Sequence, residues 1–487
     1  IFFINLKLFL MKENSRFPRG IIQMIPRIIL YISLTICSVS CNNPGKRLGG
    51  SLFTHVSPHD PNAIKWLDWN VLFNAGTNAA DRSQAMNGLN RYITDYINDY
   101  NGRTGSHFAV DQYIFSCPCD SSLWNLSAIP VMGSGQAPIL PPKPGSGGGV
   151  GGSGGAIEYV SQNNSFTVDS TMSLYDSIQT NAKIHLNNSG VDTSKILAVM
   201  DTGLDSTLFE KRFAGLLWHA PGGRTLRNFQ FFNNGLALDY YFDDEKNKHG
   251  TAVTAIALQV LEGVNPPLQV KPRIMVLKVL DQNKSGSTFT VSCALSYAIQ
   301  QHATLINASL GYYSKAETDS VLQYYVGLTG SASPNPIPIL AAAGNLPGRH
   351  DLPLCKDPGP GNELSAKRLF YPACFSKKYT NVISVTGLRD PQSSCFYQNY
   401  SNNYVSIGVV TNPGSSNCCR FPVEFLKSGY EGSSFATPVI SGKIMGCLLG
   451  TAGAVPGICL DLISSTQSVK QVTVQGRYFT YTSPPLP

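Results

Sequence analysis

Five short apolar runs, at 196–200, 274–280, 305–310, 337–343 and 382–385, constrain the fold of this chain more than any other feature. A strand with one face in water alternates polar and apolar residues, whereas a near-continuous apolar run has to be covered on both faces. Helical patterns at 251–261 and 291–302 fall between the runs, and strands separated by helices imply parallel pairing through crossovers. The expected architecture is α/β, with a mostly parallel sheet between two helical layers. The functional crevice of such a sheet lies beyond the carboxyl ends of its strands, so the chemistry is to be sought there.

At 487 residues the chain can bury a core without staples, and 43% hydrophobic against 14% charged residues marks it as globular. Its net charge of +7 would suit a polyanionic partner if it were spread over the fold. Residues 1–41, however, hold five bases (Lys7, Lys12, Arg16, Arg19, Arg27) and one acid (Glu13), or +4, which leaves 32 minus 29, or +3, for the rest. Nucleic acid is therefore not an expected partner.

Met11 is followed by basic residues, an apolar run at 28–36 and small residues up to Cys41, the pattern of a secretory signal. The ten residues ahead of Met11 are expected to be upstream translation. Ser38-Val39-Ser40-Cys41 resembles a bacterial lipoprotein cleavage site, with plain cleavage by signal peptidase as the alternative. No later apolar stretch reaches membrane-spanning length. The chain is expected to be exported, either tethered to the cell envelope through lipid on Cys41 or secreted.

Between Pro141 and Gly155, eleven of fifteen residues are Gly or Pro, a composition that cannot bury apolar area and reads as a linker over 141–156. It separates a small α+β segment, 42–140, from a block at 157–487. In the segment, Leu89, Ile93, Tyr96, Ile97 and Tyr100 recur at helical spacing, Asp81 with Gln84 resembles a capping box, and Asn101-Gly102 is expected to end the helix. A strand is expected over 108–115. Export permits disulfides, and Cys355 with Cys374, and Cys395 with Cys418 or Cys419, are the candidates. Cys117-Pro118-Cys119 has two thiols and no nearby His, a poor zinc site.

Four chemistry-bearing residues sit at strand ends or helix starts. Asp201 ends the run at 196–200, His249-Gly250-Thr251 opens a helix after the acidic run Asp243-Asp244-Glu245, and Asn345 follows the run ending at Ala343. Ser434 lies in Gly432-Ser433-Ser434-Phe435-Ala436-Thr437-Pro438, where it would occupy a first helical turn. Each context alone has an ordinary structural explanation as a turn, a cap or a surface residue. Together they supply what acyl transfer needs. A hydroxyl attacks only when a base takes its proton, and the base needs an acceptor to fix its tautomer. The oxyanion that follows needs donors set in advance, here the Ser434 N–H and the Asn345 amide.

In that order the four residues resemble the subtilisin-like serine proteases, or subtilases. The resemblance spans about 157–481 and is tight around 198–204, 243–257, 276–311, 341–345, 379–387 and 430–442. It implies a subtilisin-like three-layer fold and a serine endopeptidase in which Asp201 orients the base, His249 is general base and then acid, Ser434 attacks and Asn345 holds the oxyanion. Ser309, Leu310 and Gly311 resemble the segment that pairs with the substrate backbone, and Ala342, Ala343 and Gly344 one wall of the pocket for the residue before the scissile bond. Tyr371-Pro372-Ala373 resembles the far wall. Phe370 stands where many relatives have Gly, so small side chains are expected before the scissile bond.

The sequence departs from the family pattern at Ala252 and Ser433, at Ser406-Ile407-Gly408, and in an inserted stretch at 346–368. No cofactor is required for the chemistry, no metal ligand is assigned, and structural calcium has no assignable ligand set. The expected partners are protein or peptide substrates. A peptide ligase or cyclase and a non-catalytic binding module on the same fold are the alternatives. The segment 42–140 is expected to be a propeptide-like inhibitor or an accessory domain.

Overall fold

The computed structural model describes residues 46–47 and 65–481, apart from internal stretches of which the longest are 144–155, 175–189, 347–361, 412–418 and 464–476. The leader with Cys41, most of the Gly/Pro run, Cys355, Cys418 and much of 346–368 lie outside the described residues. Everything below belongs to one compact unit, 47–487.

The N-terminal module comprises β1 (Leu67–Phe73), α1 (Ala79–Thr104), β2 (Val110–Cys117), β3 (Asp120–Pro130) and β4 (Ile157–Gln162). Its strands pair antiparallel in the order β2-β3-β1-β4. β4 comes after the Gly/Pro run, so the sequence boundary at 157 does not separate the two sheets in space. Alternation along β1 divides its work. Leu67, Trp69, Val71 and Phe73 pack on Ala85, Met86, Leu89, Ile93 and Ile97 of α1, while Asp68, Asn70 and Leu72 face the other way.

The helix starts earlier and ends later than its sequence signals suggest. Asn78 is the cap, its side chain accepting from the Asp81 N–H at 2.9 Å, and Gly105 ends the helix at φ +68° with its N–H on the Asn101 carbonyl.

After β4 the chain forms β5 (Ser165–Thr167), β6 (Thr171–Leu174) and the long β7 (Gly190–Asp201). Then come α2 (His249–Glu262), β8 (Val270–Lys278), β9 (Ser285–Ser287), α3 (Thr288–Gln300), β10 (Leu305–Ala308), β11 (Tyr312–Ser314) and α4 (Ser320–Gly330). β12 (Ile339–Ala342), β13 (Leu369–Tyr371), β14 (Val382–Asp390), β15 (Ile407–Thr411), β16 (Ser428–Glu431), α5 (Ser433–Gly450), α6 (Pro456–Ile463) and β17 (Tyr478–Tyr481) complete the domain.

The main sheet runs β17-β15-β14-β12-β10-β7-β8, every neighbour parallel, with a short antiparallel strand at Ser393–Ser394 beside β14. All five predicted runs are strands of it. From β7 the chain moves outward to β8, then returns to the other side of β7 as β10. Strand order reverses there, and the crevice opens at the ends of β7 and β10.

Alternate residues of each strand feed two cores. Leu197, Val199, Ile274, Val276 and Leu340 pack on α2 and α5, whereas Ala198, Met200, Leu277, Ile306 and Ala341 pack with α3 and α4. Gly442 lets α5 lie on α2, since a Cβ there would stand 2.5 Å from the Ala257 carbonyl oxygen.

Disulfides join Cys395 to Cys419, Cys447 to Cys459 and Cys117 to Cys293. The first is one of the two expected alternatives, whereas Cys374, expected to pair, is a free thiol that burial pushes up to about 12. No helix among the described residues is long and apolar enough to cross a membrane.

Candidate active site

Asp201 is the last residue of β7 and is 1% exposed. His249 opens α2, also 1% exposed, and its Nδ1 meets Asp201 Oδ1 at 2.7 Å. The approach depends on Gly250, because a Cβ there would fall 2.4 Å from the Gly203 carbonyl oxygen and 3.1 Å from Asp201 Cβ. This close contact explains why Asp201-Thr202-Gly203 and His249-Gly250-Thr251 behave as a matched pair.

Asp243 stitches the two together. Its Oδ1 accepts from Thr202 Oγ1 (2.9 Å) and its Oδ2 from the Thr251 N–H (2.9 Å) and Thr251 Oγ1 (2.7 Å). Thr202 Oγ1 in turn accepts from the Gly250 N–H at 2.9 Å. Burial pushes the Asp243 carboxyl above the usual range, and the hydrogen bonds from Thr251 and Thr202 work against that rise. Glu245 Oε2 accepts the His249 N–H at 3.0 Å, which satisfies a donor of the first helical turn. In the sequence, Asp243 reads only as part of an acidic run, although its place just ahead of a helix start was a usable signal.

Lys278 is a second omission. A lysine inside an apolar strand with both faces covered needs a partner, and its fully buried ammonium donates to Asp244 Oδ1 at 2.8 Å and to the Thr202 carbonyl.

Ser434 lies in the first turn of α5. Pro438, four residues on, lacks the N–H that would bond the Ser434 carbonyl. Ser309 Oγ donates to that carbonyl at 2.7 Å instead, and Ser434 Oγ donates to the Ser309 carbonyl at 3.1 Å. This reciprocal pair fixes the start of α5 against the end of β10. His249 Nε2 has no hydrogen-bond partner, and the His249 ring lies 4.9 Å from that of Phe435, the neighbour of Ser434. The serine hydroxyl thus rests on Ser309 rather than on the imidazole.

Asn345 follows β12. Its Oδ1 accepts from the Ser433 N–H at 3.0 Å and from Ser433 Oγ at 3.2 Å, and its Nδ2 is 3.0 Å from where a Cβ on Gly432 would stand. Tyr313 OH donates to its carbonyl at 2.7 Å.

The predicted substrate residues gather nearby. Ser309, Leu310 and Gly311 link β10 to β11, and Ala343 and Gly344 link β12 to Asn345 after Ala342. The Phe370 ring is wedged between these segments. A Cβ on Gly311 would stand 2.1 Å from its Cε1, and one on Gly344 2.8 Å from its Cδ1. Tyr313 packs against its edge at 4.9 Å.

Residues 192–451, more than half of the chain, match the model of the subtilase family. The chain belongs to that family. It is 25% identical over 295 residues to the thermophilic serine proteinase of Bacillus sp. (strain AK1), covering 58% of this chain and 59% of that protein. It is also 26% identical over 250 residues to an intracellular serine protease of Paenibacillus polymyxa, covering 51% of this chain and 64% of the relative. The chain thus spans about three fifths of these curated relatives. A solved structure, the epidermin leader peptide processing serine protease of Staphylococcus aureus, superposes over 86% of this chain and 98% of its own with a TM-score of 0.51 at 14% identity, a likeness of fold. The three-layer α/β/α arrangement of this subtilase is accordingly subtilisin-like.

Proposed function

We propose that this subtilase is an exported serine endopeptidase that hydrolyses peptide bonds through an acyl-enzyme, with Asp201, His249, Ser434 and Asn345 in the roles given above. The observation that carries the reading is the buried Asp201–His249 bond with the imidazole's second nitrogen left unpartnered beside the helix of Ser434. With Nδ1–H held by the carboxylate, Nε2 is the basic nitrogen. The Ser434 hydroxyl turns from Ser309 to Nε2, gives up its proton and attacks the substrate carbonyl. The oxyanion is met by the Ser434 N–H and the Asn345 amide, and the imidazolium then protonates the leaving amine. Water repeats the sequence to release the acid.

Substrate would add as a strand along Ser309, Leu310 and Gly311, with the residue before the scissile bond between that segment and Ala342, Ala343 and Gly344. Phe370 fills that space, which supports a preference for small side chains there. Export is supported by the leader pattern and by the three disulfides among the described residues.

The module, with the strands β5 and β6 that follow it, would act as an internal inhibitor, because β5 pairs antiparallel with β9 and Phe166, fully buried, packs 5.0 Å from the ring of Tyr312 just beyond Gly311. β6 then pairs with β16, which ends three residues before Ser434. Treatment with an organophosphonate followed by peptide mass spectrometry tests the reading. Labelling confined to Ser434, with hydrolysis rather than ligation products from peptides, supports it, and folded protein whose Ser434 stays unlabelled overturns it.

A further inference from the structure

Among the described residues, the module is tied to the peptidase domain by one covalent bond besides the main chain. Cys117 ends β2 of the module and Cys293 lies in α3, and the disulfide between them spans 176 positions. The other two described disulfides lie wholly within the peptidase domain. Cutting the main chain anywhere between the module and β7 would therefore leave the module attached.

A third sulfur sits at this bond. Cys119 Sγ is a free thiol 3.2 Å from Cys117 Sγ and 3.8 Å from Cys293 Sγ, and it also donates to the Cys293 carbonyl at 3.5 Å. Two of the three sulfurs are spent on the disulfide, so the cluster does not offer a metal three thiolates in this state.

We propose that Cys117, Cys119 and Cys293 form a thiol–disulfide exchange site that governs covalent release of the module, acting either on its own third thiol or on an external dithiol. Of the three possible pairings, Cys117–Cys293 and Cys119–Cys293 hold the module, and only Cys117–Cys119 frees it. In the internal route, the Cys119 thiol gives its proton to solvent and the thiolate attacks Cys117 Sγ. The Cys117–Cys119 bond forms as the Cys117–Cys293 bond breaks, and Cys293 leaves as a thiolate that takes up a proton. No oxidant or reductant is consumed. An external dithiol gives the same release by forming its own disulfide and leaving Cys117 and Cys293 reduced.

Packing sets the order of events. Burial, with Asp120 beside it, pushes the Cys119 thiol far above the usual range, so the docked cluster is held as thiol and disulfide. Exposure, when the module lifts after a main-chain cut, makes the thiolate available. The site thus responds to docking as well as to reductant.

The inference rests on the module being separable, as proposed above, but its readout does not need proteolytic activity. Full-length Ser434→Ala protein, purified without reductant, is cut with an added protease and followed on non-reducing gels, with iodoacetamide trapping and disulfide mapping. A fragment pair held together at first, then separating as Cys293 becomes alkylated and a Cys117–Cys119 peptide appears, is the expected result. Cys119→Ser should slow that separation at least roughly tenfold without added thiol, while an added dithiol still releases the pair. Fragments that part at once, alkylation of Cys117, Cys119 and Cys293 all three in the starting protein, or separation equally fast in Cys119→Ser would each overturn the proposal. Failure of Ser434 to react with an organophosphonate would remove the protease reading and leave these outcomes unaffected.

Discussion

The two faces of the central sheet are built by different means. On one, α2 and α5 are almost wholly buried, and backbone contacts leave no room for a side chain at Gly442, where α5 meets α2, or at Gly250, where α2 meets Asp201 and Gly203. On the other, the module covers α3 and α4 with apolar side chains, Leu72, Tyr113, Phe115 and Ile129 sharing one core with Val291, Leu295 and Tyr325, and with side-chain polar bonds as well. Asn70 Nδ2 donates to Thr288 Oγ1 at 2.7 Å, Tyr325 OH and Ser296 Oγ to Asp120 Oδ2 at 2.6 and 2.9 Å, and Ser161 Oγ to Asp319 Oδ1 at 2.7 Å. Water can replace polar partners but cannot replace backbone fit. The first face is therefore the less tolerant of an added side chain, and the second carries the polar bonds that water can replace.

Four changes would sharpen or break this contrast. The largest effect is expected from Asn345→Ala, which should lower kcat by ~10² to 10³ with KM little changed, as steady-state kinetics would show. A comparable loss in KM alone would move Asn345 from the transition state to substrate binding. Gly250→Ala should follow, with kcat reduced roughly 10²-fold because the new methyl forces the Asp201 and His249 segments apart. Full activity in that variant would mean the close contact is not what aligns acid and base.

On the module face the effects should be smaller and should appear in stability. Burial pushes the Asp120 carboxyl up, but hydrogen bonds from Ser122, Tyr325 and Ser296 outweigh it and hold the group below its ordinary range. A lowered folded value means that its contribution is present above the unfolded value of ~3.9 and is lost as pH falls through the lowered one. Asp120→Asn, in a Ser434→Ala background, should cost about 2 kcal/mol near neutral pH, and the gap should close as the solution is acidified below that range. Asp319, raised by burial, runs the other way and is common to both proteins. Denaturant titrations at several pH values give the comparison. Asn70→Ala should cost only about 1 kcal/mol by the same measurement. For either variant, a loss of kcat larger than the loss of stability would show that the two faces are coupled.

Legibility in the sequence followed the same division. Buried parallel strands have to be apolar throughout, so their runs stood out, and residues at their carboxyl ends could be picked as chemical candidates before any geometry was known. Asp201 and Asn345 are candidates on this ground and His249 and Ser434 as residues of helix starts, whereas the segments at 309–311 and 342–344 rest on the family resemblance. What could not be read was pairing between distant polar residues. Nothing local to Cys293 points to Cys117, nothing in Asp243 names Thr202 and Thr251 as its donors, and β4 belongs to the module's sheet although a Gly/Pro run separates it in sequence. The start of α1 was misjudged because Asn78 and Asp81 are both good caps, and only geometry decides between them.

One pairing has a further consequence. β6 lies antiparallel to β16, whose last residue, Glu431, stands two residues ahead of the helix that carries Ser434. Were the polypeptide severed just ahead of Thr171, the freshly made amino terminus would stay paired to β16, since Thr171 lies opposite Glu431. Such an end would lie one short turn of chain from Ser434, near enough for a group attached to it to be sensed there by a spectroscopic label.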